Sequence, residues 1–212
     1  KIGDILSIDF HNVIGQIVGL EQGKALMRFL NGGIIGMNKA ITIDRQFDLP
    51  ALTTKDISAI KIGEEMGIKY FALSFAHRES DLDEMRSLMS EDCKIISKIE
   101  CNMGLDNLVE IANKSEAILI DRGDLSREQP IERIPALQKY ITRIVKGLGK
   151  EVYVATNLLE SMVTSPVPTR AEVNDIYNTL IDGADGLVLA AETAIGKYPV
   201  QAAKMVHTLI KE

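Results

Sequence analysis

The sequence predicts an α/β protein in which parallel strands alternate with helices as part of an eight-stranded barrel, preceded by a small β-rich module. Three observations carry this. From Thr53 onward, short apolar runs alternate with amphipathic stretches of helical period. The strand candidates 69–74, 94–100, 117–121, 151–156 and 186–190 start 25, 23, 34 and 35 residues apart, which leaves room for one helix and its loops in each interval. Nearly every candidate also ends in a polar residue: Ser74, Lys98 with Glu100, Asp124 just past its strand, Thr156 and Glu192. In a barrel those ends share one mouth, whereas in an open doubly wound sheet they are strung along an edge and meet only near a switch point. Five strands do not close a barrel normally made of eight, so the expectation is an incomplete TIM barrel of about five β/α units, with roughly three strands outside this chain.

Taken in order, residues 1–45 alternate apolar and polar side chains, as in Ile5-Leu6-Ser7-Ile8-Asp9 and Ala25-Leu26-Met27-Arg28-Phe29-Leu30, with glycine and asparagine between the runs. This reads as a β module. Asp48-Leu49-Pro50-Ala51-Leu52 breaks the pattern, because Pro50 donates to no ladder and disfavours helix in the residue before it. The domains are therefore read as 1–45 and 46–212. Helices are expected near 54–66, 80–89, 104–113, 131–146, 170–181 and 198–210, with Ser80 to Asp83 as a capping box, Gly67 ending the first and Gly147 ending the fourth.

Composition narrows the function classes. With 212 residues, 46% apolar and 25% charged, the chain has enough length for one sizeable core. A net charge of -6 argues against a surface built to neutralise nucleic-acid or lipid phosphates, so neither nucleic acid nor membrane is expected as a partner. No apolar run approaches the roughly 20 residues that cross a bilayer, and the start has no signal-peptide layout. Cys93 and Cys101 form no CxxC pair, and His11, His77 and His207 show no ligand spacing, so zinc and disulfides are not expected and a reducing cytoplasm fits. The missing initiator Met points to a fragment or a processed start.

Chemistry concentrates at the strand ends. In Ile96-Ser97-Lys98-Ile99-Glu100, strand alternation sends Lys98 and Glu100 to the same side. The pair serves either as a plain ion pair or as a metal carboxylate beside a cation for an anionic substrate. Asp121-Arg122-Gly123-Asp124-Leu125 brings a second carboxylate, Asp124, to the end of an apolar strand. Mg²⁺ takes one or two protein carboxylates and fills its octahedron with water and substrate oxygens, a demand that Glu100 and Asp124 meet. The same Gly-Asp turn also suits a simple helix cap. Thr156 adds a hydroxyl. Glu160, Ser161, Arg170, Glu172 and Glu192-Thr193-Ala194 read as packing, interface or capping groups, with Glu192-Thr193 also open to a nucleotide contact.

In order and wording these motifs resemble pyruvate kinase over essentially the whole chain. The resemblance rests on Leu30-Asn31-Gly32-Gly33, Asp48-Leu49-Pro50-Ala51-Leu52, Ile95-Ile96-Ser97-Lys98-Ile99-Glu100, Arg122-Gly123-Asp124-Leu125, Leu159-Glu160-Ser161-Met162, Pro168-Thr169-Arg170-Ala171-Glu172 and Glu192-Thr193-Ala194 with Gly196-Lys197-Tyr198-Pro199. It implies that residues 1–45 are the later part of a lid-like β-barrel domain and 46–212 the barrel from its fourth strand to its last helix. It further implies a glycolytic phosphotransferase that converts phosphoenolpyruvate and ADP to pyruvate and ATP. Lys98 would serve the phosphoryl group, Glu100 and Asp124 the Mg²⁺ or Mn²⁺, Thr156 the pyruvate side, and the backbone N–H groups of Gly123 and Asp124 the pyruvate carboxylate. A K⁺ ion with ligands outside this chain, a nucleotide site and a homotetramer are implied as well.

The sequence departs from the family pattern at several points. Asp121 stands where the family has a small residue, and an extra carboxylate there should repel an anionic substrate unless it is neutral or paired with Arg122. Ser126 replaces a glycine, Cys101 an asparagine and Met103 an acid, and Ile8-Asp9-Phe10-His11 keeps one acid where the family carries two. With the first three strands absent, the isolated chain is expected to be inactive. Two other readings stay open: a catalytically degenerate module that binds a small anion or supports assembly, and a Mg²⁺-dependent enolate lyase of the barrel class.

Overall fold

The computed structural model describes residues 1–9, 13–37, 39–45 and 49–212, so Phe10, His11 and Asp48 lie outside the described residues. Two compact units emerge, Lys1–Pro50 and Ala51–Glu212.

In the first unit, β1 (Ile5–Ile8), β2 (Val13–Glu21), β3 (Lys24–Phe29) and β4 (Ile41–Ile43) form an antiparallel sheet in the order β3-β2-β1-β4. Gln22 and Gly23 join β2 to β3 with φ of 48° and 75°, the two positive values that a tight hairpin matched to strand twist requires. The register slips between Ile17 and Gly19, a bulge that bends the hairpin.

The second unit opens with α1 (Thr54–Glu65), whose capping box joins Thr53 and Asp56. There follow β5 (Tyr70–Leu73), α2 (Glu79–Ser87), β6 (Lys94–Ile99), α3 (Asn102–Asp106), α4 (Leu108–Lys114), β7 (Ala117–Asp121), α5 (Arg122–Leu125) and α6 (Ile134–Gly147). The chain continues through β8 (Glu151–Ala155), α7 (Arg170–Ile181), β9 (Gly186–Val188), α8 (Ala191–Ala194) and α9 (Pro199–Leu209). All strand pairs are parallel and the order is β5-β6-β7-β8-β9. Sequential neighbours without a reversal are the staves of a barrel, since a doubly wound sheet changes direction at a switch point.

Alternation sorts the strands by face. Ile95, Ser97 and Ile99 on β6, Ile118 and Ile120 on β7, and Val152 and Val154 on β8 are buried in one cluster or beside it, together with Ile111, Ile141 and Val145 from the helices. Ser97 is polar in this layer and is satisfied by Ser115 at 2.7 Å. On β6 the alternate positions, including Lys98, face away from the helix layer.

Three local expectations are corrected. The N-cap of α2 is Arg78, and Asp81 in the first turn accepts from the backbone of His77 and Arg78 at 2.9 and 3.0 Å, so the helix starts before the Ser80–Asp83 box. The helix expected over 104–113 is broken at Asn107, whose side-chain amide donates to the carbonyls of His77 and Met103 at 2.9 and 3.0 Å. Gly147 is helical, and Gly149 at φ 72° turns the chain instead.

Candidate functional site

The ends of β6 and β7 lie side by side, with Ile99 paired to Ile120, and this register brings Glu100 and Asp121 next to each other. Glu100 is 1% exposed. Its Oε1 lies 2.6 Å from Lys98 Nζ, and its Oε2 accepts from Phe75 N at 2.6 Å. Phe75 follows β5 at φ 50°, so a left-handed residue on one strand end aims its N–H at the carboxylate of the next. Burial pushes the Glu100 carboxyl pKa up, and the Asp121 charge adds to it, against the opposing pull of Lys98 and the Phe75 N–H. For Lys98, burial opposes the charge, but the Glu100 and Asp121 carboxylates outweigh it and hold the ammonium above its ordinary range. Lys98 Nζ lies 3.1 Å from Asp121 Oδ2 as well.

Past β7 the chain turns at once into α5, where Asp121 Oδ1 accepts from Asp124 N at 3.3 Å. Asp124 forms an ion pair with Arg127 at 2.9 Å. Gly123 N donates to Thr156 Oγ1 at 2.8 Å, and a Cβ at Gly123 would stand 3.3 Å from that oxygen, so glycine gives the threonine its close seat. The two N–H groups that resemblance assigns to a substrate carboxylate are thus engaged by the chain's own side chains. Thr156 holds φ 69°, a rare conformation for a β-branched residue. It is fixed there by Arg122, which donates to the Thr156 carbonyl through Nε and Nη2 at 3.1 and 2.6 Å. Arg122 also reaches Asp175 on α7 at 2.7 Å and Gln138 on α6 at 3.3 Å. Arg122 is therefore no partner for Asp121: that carboxylate pairs with Lys98.

Lys98, Glu100, Gly123, Asp124 and Thr156 are linked through Asp121 at one end of the sheet. Sequence reasoning marked Asp121 as an intruder but missed it as the hub, and it missed Arg127, although Asp124 and Arg127 carry the i,i+3 spacing of a helical ion pair. Other residues go to structure. Glu192 is buried and accepts from Leu159 N and Ala190 N at 3.3 and 2.9 Å. Glu172 accepts from Thr169 N and Ser161 N, each at 2.7 Å. Ser161 Oγ joins it at 2.5 Å. Glu160 bonds to Asn157, and Ser74 is exposed.

The donor set fits a hard divalent cation. Glu100, Asp121 and Asp124 each offer an oxygen within 4.8 Å of the others, the one such group among the described residues. Oxygen-only donors suit Mg²⁺ or Mn²⁺ rather than zinc.

Comparison with known proteins identifies the family. The family model "Pyruvate kinase, barrel domain" matches residues 1–203. The chain belongs to the pyruvate kinase family. It is 38% identical to a pyruvate kinase of Agrobacterium vitis over 98% of this chain and 43% of that protein. It is 43% identical to one of Methanocaldococcus jannaschii, over 93% of this chain and 47% of that protein. A pyruvate kinase of Chlamydia muridarum is 39% identical, over 97% of this chain and 44% of its own length. The chain thus spans less than half the length of these curated relatives. Membership gives the five parallel strands their frame, part of the family's barrel. Among the described residues no helix is long and apolar enough to cross a membrane.

Proposed function

We propose that this chain is the part of a pyruvate kinase that carries the phosphoryl-transfer site, converting phosphoenolpyruvate and ADP to pyruvate and ATP as a glycolytic, Mg²⁺-dependent, cytoplasmic enzyme. The observation that carries the reading is Lys98 within 3.1 Å of Asp121 and 2.6 Å of Glu100, in a group of three carboxylates at one end of a parallel sheet. Phosphoryl transfer asks the protein for positioning and for cationic charge on the oxygens in flight more than for covalent chemistry.

In this reading Glu100 and Asp124 hold Mg²⁺ or Mn²⁺, which supplies charge neutralisation and a fixed anchor for substrate oxygens when bound. Lys98, kept protonated by its acidic neighbours, places its ammonium against the transferring phosphoryl group. Thr156 presents its hydroxyl to the pyruvate side, and the N–H groups of Gly123 and Asp124 turn to the substrate carboxylate. Residues 1–45 belong to the lid domain and residues 46–212 to the catalytic barrel, with the compact units dividing at Pro50. K⁺ with ligands outside this chain and a homotetramer complete the assembly.

A coupled assay of ADP-dependent pyruvate formation tests this in the whole native protein. Lys98→Met should lower kcat at least about a thousandfold, the scale of losing one preorganised electrostatic group. Mn²⁺ binding should stay within about twofold, since Lys98 is not a ligand. Unchanged turnover overturns the role. The 212-residue chain assayed alone should read background, because β5 and β9 are open edges in its sheet. A second reading, a degenerate module that takes up a small anion without transferring phosphate, draws on Asp121 in the cradle. Metal-dependent oxalate binding without ATP formation by the whole protein would favour it.

A further inference from the structure

The Asp121 carboxylate is the point on which the donors of this site converge. Its Oδ2 lies 3.1 Å from Lys98 Nζ, and its Oδ1 lies 3.3 Å from both Asp124 N and Thr156 Oγ1. These donors come from β6, from α5 and from the loop after β8, and the residue is 6% exposed. An ammonium and an amide on one carboxylate, beside a hydroxyl that also donates to the Ala155 carbonyl at 2.6 Å, are what a bound carboxylic acid would meet, and here the occupant is a side chain of the protein. A like charge arriving nearby meets it where water screens poorly.

We propose that Asp121 is a built-in occupant of the substrate's carboxylate subsite, and that it sets the affinity for small anionic substrates. The incoming carboxylate gains Thr156 and Asp124 only as Asp121 leaves them. The inference rests on the reading of Lys98, Asp124 and Thr156 given above and names the residue that tunes it. Asp121→Asn keeps an acceptor for Asp124 N and removes the charge, while Asp121→Ala removes both.

Isothermal titration of the whole native protein with oxalate at saturating Mg²⁺ decides the matter, with near-UV circular dichroism as the check on folding. Asp121→Ala should bind oxalate about tenfold more tightly than the parent, and Asp121→Asn severalfold, as expected when one opposed charge is lifted. If Asp121→Ala fails to fold, the asparagine variant carries the test, because asparagine caps helix starts as well as aspartate does. Unchanged or weaker oxalate binding in a folded variant overturns the inference and leaves Asp121 as a brace for Lys98. Glu100→Gln separates the two levels: if that variant binds oxalate as the parent does, the reading of the site itself falls, whatever Asp121 does.

Discussion

Ile118 and Ile120 on β7 are fully buried, with helices packed on them, whereas on β3 Lys24, Ala25, Leu26, Arg28 and Phe29 are all exposed. β7 is laddered to β6 and β8, whereas β3, at the edge of its sheet, pairs with β2 alone, and both ladders set a defined register. In the first unit Ile8, Val13 and Ile17 are the buried apolar side chains among the described residues, and register is held by backbone pairing and the Gln22-Gly23 turn. In the second, each strand is covered by side chains from elsewhere in the chain. The contrast teaches that a ladder fixes register while burial supplies most of the stabilisation.

The largest test of that contrast is Ile118→Ala, which should cost the second unit about 4 kcal/mol by opening a cavity in a layer with no slack. All five tyrosines, Tyr70, Tyr140, Tyr153, Tyr177 and Tyr198, lie in that unit, and there is no tryptophan, so the tyrosine signal in a urea titration reports on it alone. A loss under about 1 kcal/mol would break the comparison.

An intermediate effect is expected at Glu172, which ties the start of α7 to Ser161. Burial raises its pKa, but the Ser161 and Thr169 donors outweigh that and hold it below its ordinary value of 4.5. Its stabilisation is therefore present above that value and lost as pH falls through the lower folded one. Glu172→Gln should cost about 2 kcal/mol at neutral pH, and the gap to the parent should close in urea titrations taken below pH 4. A constant gap would put the effect down to packing instead. The smallest effect is expected on β3, where Leu26→Thr should leave stability within about 0.5 kcal/mol, measured by far-ultraviolet circular dichroism against urea. A larger loss would mean that the exposed face of β3 is covered in the native protein.

Strands were legible because β6, β7 and β8 are short apolar runs bounded by polar residues, and their spacing alone implied the crossovers. Lys98 and Glu100 were legible as a pair because strand alternation is strictly two-residue. What escaped were features set by groups distant in sequence: the break at Asn107 depends on the carbonyl of His77, and Arg122 finds Asp175 53 residues away. The hub role of Asp121 follows from the β6–β7 register and from the helical turn Arg122–Leu125 that begins directly after it, neither of which a one-dimensional pattern encodes.

Thr156 sits at φ 69°, at a conformational cost of about 1–3 kcal/mol, with its carbonyl clamped by Arg122 and its hydroxyl set against Gly123. Glycine would relax the backbone but bring no hydroxyl. Serine would keep the hydroxyl and much of the strain, and asparagine tolerates the left-handed turn but offers an amide instead. No residue meets both demands, so in the proposed site thermal robustness and chemical competence pull apart. If Thr156 serves the substrate as proposed, engineering that repairs the backbone here would yield a sturdier and less able protein.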